Sequence, residues 1–446
     1  MNLPKTRKYL PMVASLMETF GLSAMVASVV ALFVFAISAL ALIWVVRSAP
    51  PRTLVITAGP DGSSFRRFAD NYQTILAKSG VTLEILSSDG SLDNLQRLRD
   101  PAQKVDIGFV QSGLPKDTSV RGLISLGSVA YQPLWVFYRN PVPINRLSEL
   151  SGKRIAVGAV GSGTRALALT LLAANGVSAT TATFLEPEAE EAAKSLIVGS
   201  VDAVFLMGDS APGQTLRNLM RSPGLQLYHF VQADAYVRRN PNLNKMRLPE
   251  GSIDFGKDLP AQDVTLIGPT VELVARDGLN PALSDLLLEV AQEVHGRAGL
   301  MQKRGEFPAP LEHEFVLSDD AARYYKAGKG FFYRNVHSFW LASLLSRILI
   351  AIVPLVLVFV PAIRILPVLY RWSILLRIYR CYRPLLRLER DSFGPLEPDR
   401  VNDLLRQLDE IEAAVDRVKV PASFAYQFYD LRGHLAFVRK RLENKR

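Results

Sequence analysis

The sequence is almost without cysteine, since Cys381 is the only one among 446 residues. One thiol excludes an internal disulfide and the cysteine clusters of structural zinc sites. Histidine is also scarce, and the five histidines are not spaced as metal ligands. The chain is 49% apolar and 21% charged, which excludes an intrinsically disordered protein. We therefore expect a folded chain that binds no metal or other cofactor.

The net charge of +10 is concentrated near the two ends of the chain. From Arg364 onward, 17 Lys and Arg stand against 11 Asp and Glu. Among the first 18 residues, three basic residues stand against one acidic residue. The long middle part is therefore close to neutral. A basic tail on a near-neutral domain favours anionic lipid as a partner and argues against nucleic acid.

Two segments are apolar enough to cross a membrane. The first covers 19–46 and holds 28 residues without a charge, whereas about 20 are sufficient to span the hydrocarbon core. It is also longer than the apolar core of a cleaved signal peptide, which is the alternative. The second run, 348–363, is completed by apolar flanks to a span over 338–370. Pro354 and Pro361 predict a bend in this second helix.

The arginines that follow the second span decide the predicted orientation. Six of them lie between Arg371 and Arg390, and positively charged flanks stay in the cytoplasm. We therefore predict that the N-terminal tail 1–18 and the C-terminal part 371–446 are cytoplasmic. The domain 51–335 then lies outside a bacterial inner membrane, in the periplasm.

The domain 51–335 alternates short apolar runs with helical patterns, which is typical of an α/β fold with parallel sheets. Its length exceeds what one core usually supports, so we expect two lobes. Two prolines in the segment 139–144 mark the expected crossing between the lobes. The predicted strands are 54–57, 83–86, 107–110, 134–138, 155–157 and 203–206. The predicted helices are 65–78, 165–174, 189–198 and 281–295.

Four loops after predicted strands share a chemistry of glycine and hydroxyl groups. They are GPDGSS at 59–64, SSDGS at 87–91, QSG at 111–113 and GSGT at 161–164. Glycine allows a ligand to approach the backbone, and free N–H groups at a helix start attract anions. An ordinary turn with a helix cap is the alternative for each loop alone. Four such loops at the ends of neighbouring strands together predict an anion pocket.

The sequence does not carry the pattern of an enzyme. GAVGSG at 158–163 resembles a phosphate-binding loop, but Thr164 and Arg165 stand where Lys and Ser or Thr are required. Val160 stands where the first glycine of a nucleophile elbow would be, so Ser162 lacks that spacing. We therefore predict a binding protein without catalytic activity.

Several motifs resemble known receptors. LSELSGKRIAVG at 147–158, followed by GSGT, resembles the beginning of the second lobe of type 2 periplasmic binding proteins. TAGPDGSSFRRFA, SDGSLDNLQRL, VDIGFVQSG, GSVDAVFL and LSDDAARYYKAG, in this order, resemble the TAXI family of TRAP-transporter solute-binding proteins over 54–328. The segment that follows is similar to the membrane-anchored subset of that family, in which a helix and a cytoplasmic tail follow the binding domain.

This resemblance implies a type 2 periplasmic binding protein fold with two lobes. Such a receptor closes on a small carboxylate, such as an amino acid or an organic acid, and presents it to TRAP-type permease subunits. The pocket residues that the resemblance implies are Ser63, Ser64, Phe65, Gly90, Ser91, Asn94, Gln111, Ser112, Ser162, Gly163 and Thr164. Arg165 adjoins the last loop, and its guanidinium is suited to a carboxylate. A solvated helix residue is the alternative for Arg165.

The C-terminal part carries two further patterns. Arginines and aromatic residues alternate over 370–390, which predicts an interfacial helix against anionic lipid. Heptad-like apolar stripes over 401–418 and 424–442 predict a helical hairpin. This hairpin leaves a second function open, in which the chain is a tethered ligand sensor or scaffold that signals through its tail without transport.

Overall fold

The computed structural model describes residues 11, 13–14, 24–114, 120–311, 313–394, 397–417 and 424–445. Most of the predicted tail 1–18, and the first residues of the predicted span, 19–23, lie outside the described residues. The chain forms two compact units. We call Ala49–Leu345 the α/β unit, and we call Met1–Ser48 together with Ser346–Arg446 the helical unit.

The described residues of the α/β unit form twelve strands, which are apolar, short and mostly buried. They are Thr53–Ala58 (β1), Thr82–Ser87 (β2), Ile107–Gln111 (β3), Leu123–Tyr131 (β4), Trp135–Tyr138 (β5), Arg154–Ala156 (β6), Thr183–Leu185 (β7), Ala203–Leu206 (β8), Gln226–Leu227 (β9), Leu243–Leu248 (β10), Val264–Arg276 (β11) and Val316–Leu317 (β12).

Helices alternate with these strands and continue beyond them. In the described part of the chain the α-helices are Ala24–Arg47 (α1), Ser64–Lys78 (α2), Ser91–Arg99 (α3), Gly163–Ala174 (α4), Ala189–Val198 (α5), Gly213–Arg221 (α6), Ala233–Arg239 (α7), Pro281–His295 (α8), Asp319–Ala327 (α9), Phe331–Asn335 (α10), Phe339–Asp391 (α11), Pro398–Asp416 (α12) and Ala425–Glu443 (α13).

The strands of the α/β unit form two sheets, and each sheet is the centre of one lobe. The first sheet has the order β12-β4-β11-β3-β1-β2, with β10 beside β11, and the second has the order β7-β6-β8-β5-β9. We call these lobe 1 and lobe 2. In lobe 1, β1 is parallel to β2 and β3, and in lobe 2, β6 is parallel to β7 and β8.

The expectation of parallel sheets is wrong for two strands. β11 is antiparallel to β3 and β4, and β5 is antiparallel to β8 and β9. The difference arises because the chain changes lobe at these strands and therefore enters each sheet from the opposite end. Each lobe keeps its own apolar core, in which α2 and α8 cover the sheet of lobe 1 and α4 and α5 cover that of lobe 2.

The crossing between the lobes does not lie at 139–144, as the prolines there suggest. The chain leaves β4 and enters β5 through residues 132–134, and those prolines follow β5 inside lobe 2. β11 is the second crossing, because Leu266 and Ile267 in its first half pack in the apolar cores of lobe 2, whereas its second half pairs with β3 and β4 in lobe 1. The two crossings touch closely, since a Cβ on Gly268 would lie 2.0 Å from the carbonyl oxygen of Gln132.

The helical unit contains apolar helices and a packed tail. Ala24–Arg47 and Phe339–Pro361 are long and apolar enough to cross a membrane. The second is the first part of α11, which continues to Asp391, so the predicted span and the predicted interfacial helix form one helix. Apolar side chains of α12 and α13 pack against the last turns of α11. The residues 418–423 between α12 and α13 lie outside the described part.

Candidate functional site

Three helix starts and one turn lie at the contact between the lobes. α2 and α3 begin in lobe 1, and α4 begins in lobe 2. Two of these starts are capped by serine: Ser63 accepts from the backbone N–H of Arg66, and Ser162 accepts from that of Arg165. Gln111, the last residue of β3, lies beside these helix starts, at the turn that follows the strand. These elements meet because the carboxyl ends of parallel strands share one edge of each sheet.

The two lobes touch directly at these turns. The bonded groups are backbone groups and one side-chain amide, and each bond joins one lobe to the other. The backbone N–H of Ser64 donates to the carbonyl oxygen of Gly208 at 2.7 Å, and that of Asp93 donates to the carbonyl oxygen of Gly161 at 3.0 Å. Nε2 of Gln111 donates to the carbonyl oxygen of Gly163 at 3.0 Å. The structure is therefore a closed arrangement of the lobes.

The carboxylate of Asp209 lies at the centre of this contact and is fully buried. Its Oδ2 accepts from the backbone N–H of Gly163 at 2.6 Å and from that of Ser91 at 3.4 Å. Its Oδ1 accepts from the hydroxyls of Thr164 at 2.8 Å and Ser210 at 3.0 Å. The N-termini of α3 and α4, one from each lobe, thus point at one carboxylate. Such N-termini favour negative charge.

The pKa of Asp209 reflects two opposing effects. Burial raises the pKa of this carboxyl above its usual range, because the charged form loses water. The bonds from Thr164, Gly163, Ser91 and Ser210 act in the lowering direction, because they stabilise the charged form. The arrangement is suited to a carboxylate that is held by donors rather than by a cation.

Two glycines make room for Asp209. A Cβ on Gly90 would lie 2.7 Å from Oδ2 of Asp209, and a Cβ on Gly59 would lie 2.1 Å from its backbone oxygen. Gly90 also has φ +130°, a conformation that side chains disfavour. The glycines that predict the close approach of a ligand therefore accommodate a residue of the chain itself.

Two predicted site residues lie inside lobe 1. The ring of Phe65 is fully buried in the core, 5.6 Å from the ring of Phe109 between centroids. Asn94 is fully buried, and its Oδ1 accepts from the hydroxyls of Thr57 and Ser88, while its Nδ2 donates to the oxygen of Phe109. Asn94 therefore fastens α3 to the strands of its own lobe, and its side-chain groups are already bonded.

Two more predicted residues have partners other than Asp209. The hydroxyl of Ser112 lies 3.3 Å from that of Thr270 on β11. The guanidinium of Arg165 makes an ion pair with Glu186 at 2.6 Å, so it does not supply a free cation at the helix start. The remaining eight lie at the lobe contact. They are Ser63, Ser64, Gly90, Ser91, Gln111, Ser162, Gly163 and Thr164.

An open cleft of about 370 Å³ lies beside the buried contact. Thr164 and Ser210 line it, which connects it to the donors of Asp209. Five of its lining residues are acidic: Asp61, Asp89, Glu186, Glu188 and Glu190. Asp61 and Glu186 are ion-paired with arginines, so the remaining three acids make the mouth of the cleft negative, in contrast to the predicted anion pocket. Within the described part of the chain, no group of three His, Cys, Asp or Glu is arranged to hold a metal ion.

One buried acceptor at the lobe contact is unmet. Gln111 is 2% exposed, and its Oε1 has no hydrogen-bond partner among the described residues. An unmet buried acceptor is costly, typically by about 1–3 kcal/mol. A ligand that donates a hydrogen bond to this oxygen would remove that cost.

Asp209 is the residue that the sequence analysis missed. It follows β8 in MGDS at 207–210, which is a glycine and hydroxyl turn of the same kind as the four loops considered. Its position directly after the predicted strand 203–206 could have indicated a site residue. Its partners lie far away along the chain, since Ser91 is 118 positions distant.

Comparison with known proteins gives one family match and several matching solved structures. The alkanesulfonate-binding protein SsuA from Xanthomonas axonopodis pv. citri, bound to MOPS, is 16% identical, with 55% of this chain and 74% of that chain covered and a TM-score of 0.36. An ancestral arginine-binding protein bound to arginine is 15% identical, with 55% and 92% covered and a TM-score of 0.37.

A search of curated proteins finds no match. The model of the NMT1-like family matches residues 57–284, which include lobe 2, most of lobe 1 and the residues of the lobe contact named above. This match covers just over half of the chain. The chain therefore belongs to the NMT1-like family.

Proposed function

We propose that this chain is a membrane-tethered extracytoplasmic solute receptor that binds a small amino acid between its two lobes. In this proposal it is of TAXI type and delivers its ligand to TRAP-type permease subunits. The observation that supports it most is that Ser91 and Gly163, one from each lobe, direct backbone N–H groups at a single carboxylate. A carboxylate ligand held at this point would join the lobes by lobe closure.

The amino group of the ligand follows from the surrounding charge. A purely anionic acid would meet the negative mouth of the cleft, where Asp89, Glu188 and Glu190 lie. An amino acid carries an ammonium group, which the acids attract and which can donate to the unmet Oε1 of Gln111. We therefore favour an amino acid over an organic acid as the ligand.

The site residues divide into two groups in this proposal. The eight residues at the lobe contact bind the ligand directly, through backbone N–H groups and hydroxyls. The other four, Phe65, Asn94, Ser112 and Arg165, support the positions of the helices that carry those donors.

The membrane part of the proposal rests on α1 and α11. Both are candidate spans by length and composition, and arginines follow the second one. With both termini in the cytoplasm, the α/β unit would face the periplasm. The arginines and aromatic residues at the end of α11 would then contact anionic lipid. Glycosidic, phosphoryl or acyl-transfer chemistry has no role in this account.

A thermal-shift experiment on the full chain in detergent tests ligand binding. Each α-amino acid is compared with the acid of the same carbon skeleton that lacks the amino group. A ligand at about 100 times its dissociation constant stabilises the folded state by about 2.7 kcal/mol. We expect a shift for at least one amino acid and a smaller shift for its partner. No shift across both series would contradict the proposed function.

The sensor or scaffold function is supported by one observation. α11 contains the second candidate span and continues into the packed tail, so a single helix joins the span to the tail. Cys381 lies half-buried in this tail, where burial raises its thiol pKa. It is the only cysteine of the chain, so a thiol reagent reports on this position alone. Sensing predicts that ligand changes the rate at which Cys381 reacts with a thiol reagent. An unchanged rate at saturating ligand favours transport without sensing.

A further inference from the structure

The donors around Asp209 form a complete anion site that the chain fills itself. Both oxygens of Asp209 are bonded, with two donors each. Two of these donors are the first N–H groups of α3 and α4, and α4 has 12 residues and α3 has 9. Since the carboxylate is fully buried, it cannot share these donors with a second anion.

The backbone of Asp209 is tied to the crossing between the lobes. With its amide oxygen turned toward the two donors, Gln132 accepts from the backbone N–H of Gly208 at 2.7 Å and also from that of Asp209. Gln132 lies in the first crossing, and the oxygen of Gly208 accepts from Ser64 of lobe 1. The turn that carries Asp209 therefore contacts lobe 1, lobe 2 and the crossing.

We propose that Asp209 is a built-in occupant of the anion position, which holds the lobes closed when no ligand is bound. A ligand carboxylate then binds by exchange with the side chain of Asp209, whose carboxylate turns toward the cleft. This inference rests on the proposed two-lobed receptor and assigns its regulation. It also explains why the closed lobes contact each other directly while the open cleft lies to one side.

A purely structural role for Asp209 makes a different prediction. Three of its donors, Gly163, Thr164 and Ser210, belong to lobe 2, so Asp209 also stabilises lobe 2 by itself. If that is its whole role, its removal lowers stability but leaves the distance between the lobes unchanged. The distance between the lobes therefore distinguishes the two roles.

The experiment measures that distance without any amino acid. Spin labels are placed on Gln96 in α3 and Thr170 in α4, both exposed, in the full chain with Cys381→Ser. We expect one short distance in the parent protein. In Asp209→Ala we expect the population of longer distances to rise at least about fivefold, the factor set by one ordinary hydrogen bond. An unchanged distribution in Asp209→Ala, or a parent protein that is already open, overturns the proposal.

Acetate supplies the second arm of the experiment. It has the carboxylate that Asp209→Ala removes, so it should restore the short distance, whereas chloride at equal ionic strength should not. Acetate that leaves the lobes open contradicts the proposal. Because no amino acid is present, this result is independent of whether the proposed ligand binds.

Three further variants keep the experiment interpretable. Gly163→Ala is the control for opening, since its Cβ would lie 2.1 Å from Oε1 of Gln111 in lobe 1. Glu188→Gln is the charge control, because it removes a negative charge from the same cleft and Glu188 makes no side-chain cap bond. If Asp209→Ala does not fold, Ser91→Pro removes the N–H that lobe 1 donates to Asp209, at a first helical position that accepts proline, and should shift the distances in the same direction. An unchanged distribution in Ser91→Pro then overturns the proposal.

Discussion

Gln111 of lobe 1 reaches across to Gly163 of lobe 2, where its Nε2 donates to the backbone oxygen at 3.0 Å. Gln111 stands at the end of β3, and Gly163 is the first residue of α4. The residues are 52 positions apart in the chain, and each belongs to a loop that the sequence marks as a candidate ligand loop. Their contact makes the closed arrangement of the lobes depend on the small size of Gly163.

The hydroxyl of Thr164 stabilises the buried carboxylate, so Thr164→Val should destabilise the α/β unit. Hydrogen bonds to charged groups contribute about 1.5–3 kcal/mol, and Thr164 is 1% exposed. Urea unfolding of the full chain in detergent measures the loss. Thr170→Val is the matched control, because the Thr170 hydroxyl bonds only the exposed turn of the same helix, at the oxygen of Ala166. Equal losses in both variants would contradict the role of Thr164.

The crossing between the lobes should not tolerate a side chain at Gly268. A Cβ there would meet the backbone oxygen of Gln132 at 2.0 Å, and backbone cannot move aside as a side chain can. We expect Gly268→Ala to separate the two crossing strands and to lower the free energy of unfolding by about 1–3 kcal/mol or more. Gly256→Ala is the control, since its nearest atom would lie at 3.7 Å. A Gly268→Ala protein as stable as that control refutes this packing.

Glu272 on β11 should make the stability of the α/β unit fall as the pH rises. It is fully buried, and its oxygens have no hydrogen-bond partner among the described residues. Burial, and to a smaller extent the nearby carboxylate of Glu314, raise its pKa to about 8, although the hydroxyl of Ser125 acts in the lowering direction. The folded state therefore keeps a proton that the unfolded state loses above pH 4.5.

The sign of this effect is set by proton binding. Between pH 4.5 and 8 the folded state binds more protons than the unfolded state, so stability falls with pH. We expect Glu272→Gln to reduce this fall and to be more stable than the wild type at pH 8, by on the order of a few kcal/mol. Glu293→Gln, at an exposed position of α8, is the control. Parallel stability curves for Glu272→Gln and the wild type would show that Glu272 is ionised in the folded state.

The tail of the helical unit should unfold without the α/β unit. Leu435 in α13 is 3% exposed and packs in the apolar cluster of the tail. Leu435→Ala should lower the free energy of unfolding of the tail by about 2–5 kcal/mol and raise hydrogen exchange over 374–391, 397–417 and 424–445, but not in the α/β unit. Phe437→Ala in the same helix is the control, since Phe437 is exposed. Faster exchange in the α/β unit as well would contradict two independent units.

Local patterns allowed much of the fold to be predicted. The helices 189–198 and 281–295 were predicted with the bounds that the structure has, because apolar periodicity and terminal residues are properties of neighbouring positions. Strands such as β1 and β3 were predicted for the same reason. The crossing was not, because Pro141 and Pro143 mark a turn equally well inside a lobe and between lobes.

The candidate site could be predicted only in part, because its central group depends on contacts between distant residues. The loops 87–91 and 161–164 are local features and were predicted from their glycines and hydroxyls, although the helix after the second loop begins at Gly163 and not at 165, as was predicted. The position of Asp209 between them follows from the packing of two lobes. A pattern of small residues indicates a close approach, but it does not tell whether a ligand or the chain itself makes that approach.

Isothermal titration of the full chain with α-amino acids at neutral pH is the decisive measurement. We expect at least one amino acid to bind the wild-type chain. Glu188→Gln, which removes an acid from the cleft, should weaken that ligand about twofold to fivefold, the factor for an exposed charge pair of about 0.5–1 kcal/mol, while Thr170→Val leaves its affinity unchanged. Binding of no amino acid, or equal affinity in the Glu188→Gln and Thr170→Val chains, would contradict a ligand site between the lobes.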